Sequence, residues 1–315
     1  MNLGDDKALY RLPFDHRQSY VSGMLHLEPP LTVPQRDQVI DSKQLICEGL
    51  KRALTEGVPF EAAGILVDEQ FGAAILRDAR QRGCVTALSV ERSGTDEFEF
   101  EYGADFASHI EAFDPTFARV LVRYNPEGDT ALNLQQPGRL KQLSESCRRN
   151  QRRFMFELLV PPTDDPLARS GGNKDAFDRQ ARPLPMQQTL QALQDADFEP
   201  DVWTVEGLDS HADGDGDGDG ERVLQIARRA GRDQVGVVLG RGADEAKARR
   251  WVTVAAGVPG IVGFAVGRTS FLDAVAGHLA QTLPRAEAAT QIAGRLCEWV
   301  DVFGAGRRSH PTGAA

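Results

Sequence analysis

Apolar and β-branched residues gather in eight short runs, each closed by polar or glycine-containing sequence and each followed by a stretch with helical spacing. The runs are Leu9–Phe14, Ala63–Val67, Val85–Val90, Ala118–Tyr124, Arg153–Val160, Asp201–Val205, Gln234–Leu239 and Gly260–Val266. Runs too short for helices, alternating with segments of helical period, predict strand–helix units and therefore a parallel sheet. Eight such units are what a closed ring requires, so the expected fold class is α/β, a single (β/α)8 TIM barrel.

The segments expected to form the outer helices are Val39–Glu56, Phe71–Arg82, Asp105–Phe113, Gly138–Asn150, Met186–Ala196, Glu221–Ala230 and Asp244–Ala256, where Leu, Ile and Ala recur every three or four positions. Two more, Phe271–Gln281 and Pro284–Phe303, follow the last run, and the polar tail Gly304–Ala315 reads as frayed. A length of 315 residues suits one barrel with insertions. The expectation is therefore one domain over 1–315, with its core at about 8–304 and a flexible tail at 305–315.

Two insertions break the pattern. Pro161–Pro185, rich in proline and charge, follows the fifth run and reads as a surface loop or a substrate lid on the catalytic face. His211–Glu221 alternates aspartate with glycine; Asp213, Asp215, Asp217 and Gly218 resemble the start of a calcium loop, but the twelfth position is Leu224 rather than glutamate. A solvated loop is expected there.

With 41% hydrophobic and 26% charged residues the chain can bury a large core, and its net charge of −10 disfavours nucleic acid and anionic membranes as partners. The start Met1–Asp6 lacks the features of a secretory signal and no apolar run approaches a bilayer span, so a cytoplasmic protein is expected. Cys47, Cys84, Cys147 and Cys297 lie too far apart for a zinc or dithiol motif, and no metal or cofactor is expected.

In such a barrel the active site gathers at the carboxyl ends of the strands. Those ends carry Asp15, His16 and Arg17; Asp68 and Glu69; Glu91 and Arg92; Arg123 and Asn125; Thr204 and Glu206; Arg241; and Arg268. Alternation puts Arg119, Arg123 and Asn125 on one face of the fourth strand, and Thr204 with Glu206 on one face of the sixth. Each of these charges taken alone is as well explained by a solvated strand end. Glu157 differs, because it sits inside Phe154–Val160 and demands a basic partner, Arg119 or Arg123, to offset its desolvation. The seventh and eighth strands end in Gly240–Arg241 and Gly267–Arg268; glycine admits an oxyanion close to backbone N–H groups and arginine grips it, so phosphate is expected there.

Pro13–Arg17, Gly64–Gly72, Arg123–Asp129 and Phe154–Pro161 resemble the barrel domain fused behind the kinase in bifunctional 5-dehydro-2-deoxygluconokinases of inositol catabolism, the DUF2090 family, itself similar to tagatose-bisphosphate aldolases. The likeness continues through Pro200–Trp203 and Gly263–Thr269, covering Leu9 to Phe303. It implies a class I aldolase-like barrel that cleaves a phosphorylated 2-deoxy-5-keto sugar acid into dihydroxyacetone phosphate and malonate semialdehyde through a lysine imine. It further implies that Asp15 and Arg17 contact the substrate, that Glu157 moves protons, and that Arg241, Gly267 and Arg268 hold phosphate.

In the aldolases that lysine stands in a strand-six Lys-Val-Glu motif; here the matching stretch is Thr204–Val205–Glu206, and threonine cannot form an imine. None of Lys7, Lys43, Lys51, Lys141, Lys174 and Lys247 falls at a predicted strand end. The sequence thus suggests Glu157, Asp15, Thr204 and Glu206 as the catalytic set. Arg17, Asp68, Glu91, Arg119, Arg123 and Asn125 are expected to bind substrate, with Gly240, Arg241, Gly267 and Arg268 on phosphate. Two other classes stay open: a phosphosugar-binding protein without turnover, and a metal-assisted lyase or isomerase using Asp68, Glu91, Glu157 or Glu206. The expected partner is a small phosphorylated sugar acid, with the oligomeric state left open.

Overall fold

A computed structural model describes residues 7–161, 183–195, 198, 200–206, 236–240 and 245–309. The strands are β1 (Leu9–Pro13), β2 (Ala63–Asp68), β3 (Val85–Ser89), β4 (Phe117–Arg123), β5 (Arg153–Leu159), β6 (Val202–Glu206), β7 (Gly236–Gly240) and β8 (Ile261–Val266). Each pairs in parallel with its neighbours in sequence, and β8 pairs back onto β1, so the hydrogen-bonded ring closes. Gly263 sits at that seam because nothing larger fits: a Cβ there would lie 1.8 Å from the Leu9 carbonyl oxygen.

Around the sheet lie α1 (Gln18–Val21), α2 (Val33–Thr55), α3 (Glu69–Gln81), α4 (Phe106–Phe113), α5 (Thr130–Arg149), α6 (Pro183–Asp195), α7 (Glu245–Ala256), α8 (Arg268–Leu279) and α9 (Arg285–Ser309). The helix expected over Glu221–Ala230, the Asp/Gly loop at His211–Glu221, Arg241, and residues 162–182 of the first insertion lie outside the described residues.

Of the expected helices, three differ most in their limits, for physical reasons. The first long helix starts at Val33 rather than Val39, because Thr32 and Gln35 form a reciprocal capping box that satisfies the first free N–H groups. α5 begins at Thr130, ahead of Pro137 rather than after it. The neighbouring Gln136 is buried and ties this helix to the end of β4 and to the segment after β3, donating to the Arg123 carbonyl at 3.0 Å and accepting from Phe98 N at 3.3 Å. The last helix runs on to Ser309 instead of fraying at Gly304: Phe303 is buried, and a Cβ on Gly306 would come within 2.6 Å of the Thr253 carbonyl oxygen, so the glycine lets α9 lie flat on α7.

Apolar packing occurs in two layers. Between sheet and helices runs the main core, including the edge-to-face aromatic set Phe154, Phe156, Phe198 and Trp203. Inside the ring, Leu9, Phe117 and Val202, each the first residue of its strand, join Leu66, Ala87, Met155, Val262 and Ala265 in a small plug. Each large side chain fully buried in this way contributes roughly 1.5–3 kcal/mol. Two residues further along the strands the character changes, since the same inward parity brings Arg11, Arg119, Glu157 and Thr204 into the interior. All four are buried. The plug closes one end of the ring and the polar layer faces the other. Among the described residues no helix is long and apolar enough to cross a membrane.

Candidate active site

Arg119, the third residue of β4, is 3% exposed and gathers three carboxylates. Its Nη1 donates to Asp15 Oδ2 at 2.8 Å and to Glu91 Oε1 at 2.7 Å, while Nε and Nη2 both reach Glu157 Oε2, at 3.1 and 2.5 Å. Of the two partners the sequence allowed for Glu157, Arg119 is the one used. Arg123 lies further out and bonds the Thr95 carbonyl at 3.3 Å.

Three carboxylates on one guanidinium cannot all ionise cheaply, and their environments separate them. Burial pushes Glu157 up, Arg119 opposes and Asp15 reinforces, leaving its carboxyl above the ordinary glutamate value. Glu91 is likewise raised, by burial against Arg119 and Arg17. Burial also acts on Asp15, but Arg119, His16, Arg17 and Lys43 together outweigh it and hold this carboxyl low. Arg119 itself is held above its ordinary value, burial being overcome by Asp15, Glu157 and Glu91.

These groups floor a cavity of about 380 Å³ at the carboxyl ends of the strands. Asp15, Arg17, Glu91, Arg119, Arg123 and Glu157 line it, and Gly267 with Arg268 completes the far rim at the start of α8. One wall is the segment between β3 and α4, where the sequence pattern gives no element. It folds back through an antiparallel bridge between Glu91 and Phe100 and is anchored by an Arg139–Glu97 ion pair. Arg17 ties this wall to the floor, bonding Glu101 at 2.8 Å, the Glu91 carbonyl at 2.5 Å and Ser89 Oγ at 3.3 Å. Its Nε is buried with no partner among the described residues.

Other expected site residues sit elsewhere. Asp68 is fully buried off the cavity, where Oδ1 caps α3 at Phe71 N (2.8 Å) and Oδ2 pairs with Lys43. Asn125 holds a turn, donating to the Pro161 carbonyl at 2.8 Å and accepting from Glu127 N at 3.0 Å. Glu206 is buried at the end of β6 and accepts from Val160 N at 3.2 Å. Gly240 ends β7. Thr204 is fully buried beneath the cavity, in register with Glu157, and its Oγ1 accepts from Arg11 Nη2 at 3.0 Å.

Two buried cations were missed. Arg11 lies at 0% exposure between Thr204 and the sulfur of Met155, and burial lowers its pKa to about 10 against the pull of Glu157. Its signal was parity: it alternates inward with Leu9 and Asp15. Lys43 projects from α2 to Asp68 and the His16 carbonyl (3.1 Å); burial depresses its pKa despite Asp68. Among the described residues no group of three His, Cys, Asp or Glu side chains is arranged to hold a metal ion.

His16 lines the cavity with its Nδ1 buried and unpartnered among the described residues. Burial, opposed by Asp15 and reinforced by Arg268, Lys43 and Arg119, lowers its pKa from 6.5 to about 4. The unfolded chain therefore binds the proton first. The stability contributed by neutral His16 is complete above pH 6.5 and is lost as pH falls toward about 4. Denaturant titrations across that window should show the wild type losing more stability than His16→Gln, by up to about 3 kcal/mol for a shift of this size; parallel curves would contradict a neutral buried imidazole.

The family model described as "Uncharacterized protein conserved in bacteria (DUF2090)" matches residues 4–307. The chain belongs to this family. Among solved structures, fructose-bisphosphate aldolase from Plasmodium falciparum is similar at 13% identity and TM-score 0.59, over 98% of this chain and 93% of that one. An archaeal fructose 1,6-bisphosphate aldolase matches at 11% identity and TM-score 0.57, over 94% of each chain. Cgl0159 from Corynebacterium glutamicum matches at 16% identity and TM-score 0.55, over 95% of this chain and 88% of that one. At these identities the likeness shows an aldolase-like fold for this DUF2090 member. Comparison with curated proteins gives no match.

Proposed function

We propose that this chain is a single-domain (β/α)8 barrel of the class I aldolase kind. Its function would be that of a carbon–carbon lyase for a phosphorylated keto-deoxy sugar acid of the type handled in inositol catabolism, in the cytoplasm and without nucleic acid or membrane as partner. The observation that carries the proposal is the Arg119 cluster, which sets Asp15, Glu91 and Glu157 around one guanidinium at the floor of the cavity. A carboxyl raised by burial and tethered through one oxygen is suited to move a proton on and off a sugar hydroxyl. In cleavage, Glu157 takes the proton of the hydroxyl beside the scissile bond, and the bonding electrons pass to the ketone as an enolate. The unpartnered Arg17 Nε–H is the donor available to that oxygen. Gly267 and Arg268 at the start of α8, with Gly240 and Arg241, would hold the phosphate.

Thr204 removes the imine route, and of the carboxylates a metal would need, Glu91 and Glu157 are engaged by Arg119 and Asp68 by Lys43. A binding protein without turnover is the second reading, favoured by the Arg11–Thr204 hydrogen bond that fills the place of a reactive amine. Treating the wild type with a phosphorylated keto acid and borohydride should leave no adduct on any lysine. Thr204→Lys should gain one at position 204 and raise retro-aldol cleavage at least about tenfold, since the nearby Arg11 cation would keep the new amine partly neutral. Cleavage by the wild type supports the lyase; binding without cleavage in either protein supports the silent binder.

A further inference from the structure

Glu91 has an asymmetric set of partners. Its Oε1 accepts from Arg119 Nη1 at 2.7 Å and from Ser89 Oγ at 2.8 Å, and stands 3.7 Å from Arg17 Nη2. Its Oε2 is buried with no partner among the described residues, although the residue lines the cavity. Glu157 is also held from one side, its Oε2 taking both of its Arg119 bonds. The guanidinium therefore anchors both glutamates through one oxygen each, Glu91 at Nη1, which it shares with Asp15, and Glu157 at Nε and Nη2. An orphaned buried oxygen is costly unless it is protonated or met by a ligand.

We propose that Glu91 is a second catalytic acid–base group, paired with Glu157 about Arg119, and that the site exchanges protons at the carbon next to the carbonyl of a phosphorylated ketone without any covalent intermediate. In the forward step the Oε2–H bond of Glu91 breaks and a C–H bond forms at the enolate carbon. The electron pair of the enolate double bond supplies that C–H bond, the ketone C=O re-forms, and Glu91 is left as a carboxylate held by Arg119 and Ser89. In reverse, the carboxylate removes the α-proton, the electrons return to the oxygen beside Arg17 Nε–H, and solvent replaces the proton on Glu91. Burial raises the Glu91 carboxyl above its ordinary value, which favours the proton-bearing form that the forward step uses. The inference rests on the carbonyl-ligand part of the proposed function but not on bond cleavage.

The test uses dihydroxyacetone phosphate as probe in deuterium oxide, with loss of its carbon-bound proton signal followed by NMR. The wild type should exchange well above the buffer rate. Glu91→Gln, which keeps an acceptor for Arg119 and Ser89 but cannot transfer a proton, should exchange about 100-fold more slowly while binding the probe within about threefold. Ser89→Ala removes a hydrogen bond to the charged carboxylate, so the low-pH limb of the pH–exchange profile, where Glu91 gains its proton, should move to higher pH. A structural role alone would not move that limb. Exchange by Glu91→Gln at the wild-type rate, or no exchange by the wild type, overturns the proposal. Exchange without cleavage of any sugar acid phosphate would overturn the lyase assignment and leave this inference standing; cleavage with exchange indifferent to Glu91 would do the reverse.

Discussion

Replacing Arg119 with methionine should cost the fold about 3–5 kcal/mol at neutral pH, the range seen when one partner of a buried ion pair is removed, and should abolish turnover of any substrate the site accepts. The cause is not the lost arginine by itself but the three carboxylates it leaves behind, Asp15, Glu91 and Glu157, all buried beside one another. Without the guanidinium each would hold its proton more tightly in the folded chain than in the unfolded one. A carboxyl raised in that sense favours folding below its unfolded value and penalises it as pH rises. The deficit of Arg119→Met relative to the wild type should therefore shrink as pH falls from 7 toward the ordinary carboxylate range. Urea unfolding at two pH values measures this directly; a deficit independent of pH would mean that packing, not charge, accounts for the loss.

Lys43→Met should be nearly as damaging, at about 3 kcal/mol, because Asp68 would stay buried and charged at the junction of β2 and α3. Asp68→Asn alone leaves the ammonium stranded. The double variant Lys43→Met/Asp68→Asn removes both charges and keeps an N-cap side chain for the Phe71 N–H, so it should recover more than half of the single-variant loss. Unfolding free energies of the four proteins make the cycle, and a double variant no more stable than Lys43→Met would contradict a coupled pair.

The two pairs also show what could be read from the sequence. Glu157 stood out because a carboxylate amid Phe154–Val160 has no bland explanation, and the arginine two positions into β4 lies one strand away in the same inward parity. Nothing comparable marks Lys43. On the helical pattern of α2 it reads as one more surface lysine, and the aspartate it meets is fixed by how the helix docks, which no local period encodes. Arg11 was legible in principle, since alternation from Asp15 points it inward, but an arginine near the chain start reads as a solvated strand end. Asp68 and Asn125 illustrate the opposite failure. Both stand at strand ends, yet one caps a helix and the other stabilises a turn, because the groups left free where a strand stops are satisfied by the nearest short polar side chain whether or not a ligand is near. Two helix limits differ from the sequence pattern: α5 runs through Pro137 instead of starting at Gly138, and α9 continues through Gly304, the expected start of the frayed tail, to Ser309.

The seam at Gly263 has a bearing on biosynthesis. The ring closes between its earliest and latest strands, and the helix that locks it, α9, spans the last described turns of the chain. A ribosome would therefore release all eight strands before β1 found its second neighbour. Until then two unprotected strand edges are open to pairing with other nascent chains, a period in which a holdase would raise the yield of native barrel.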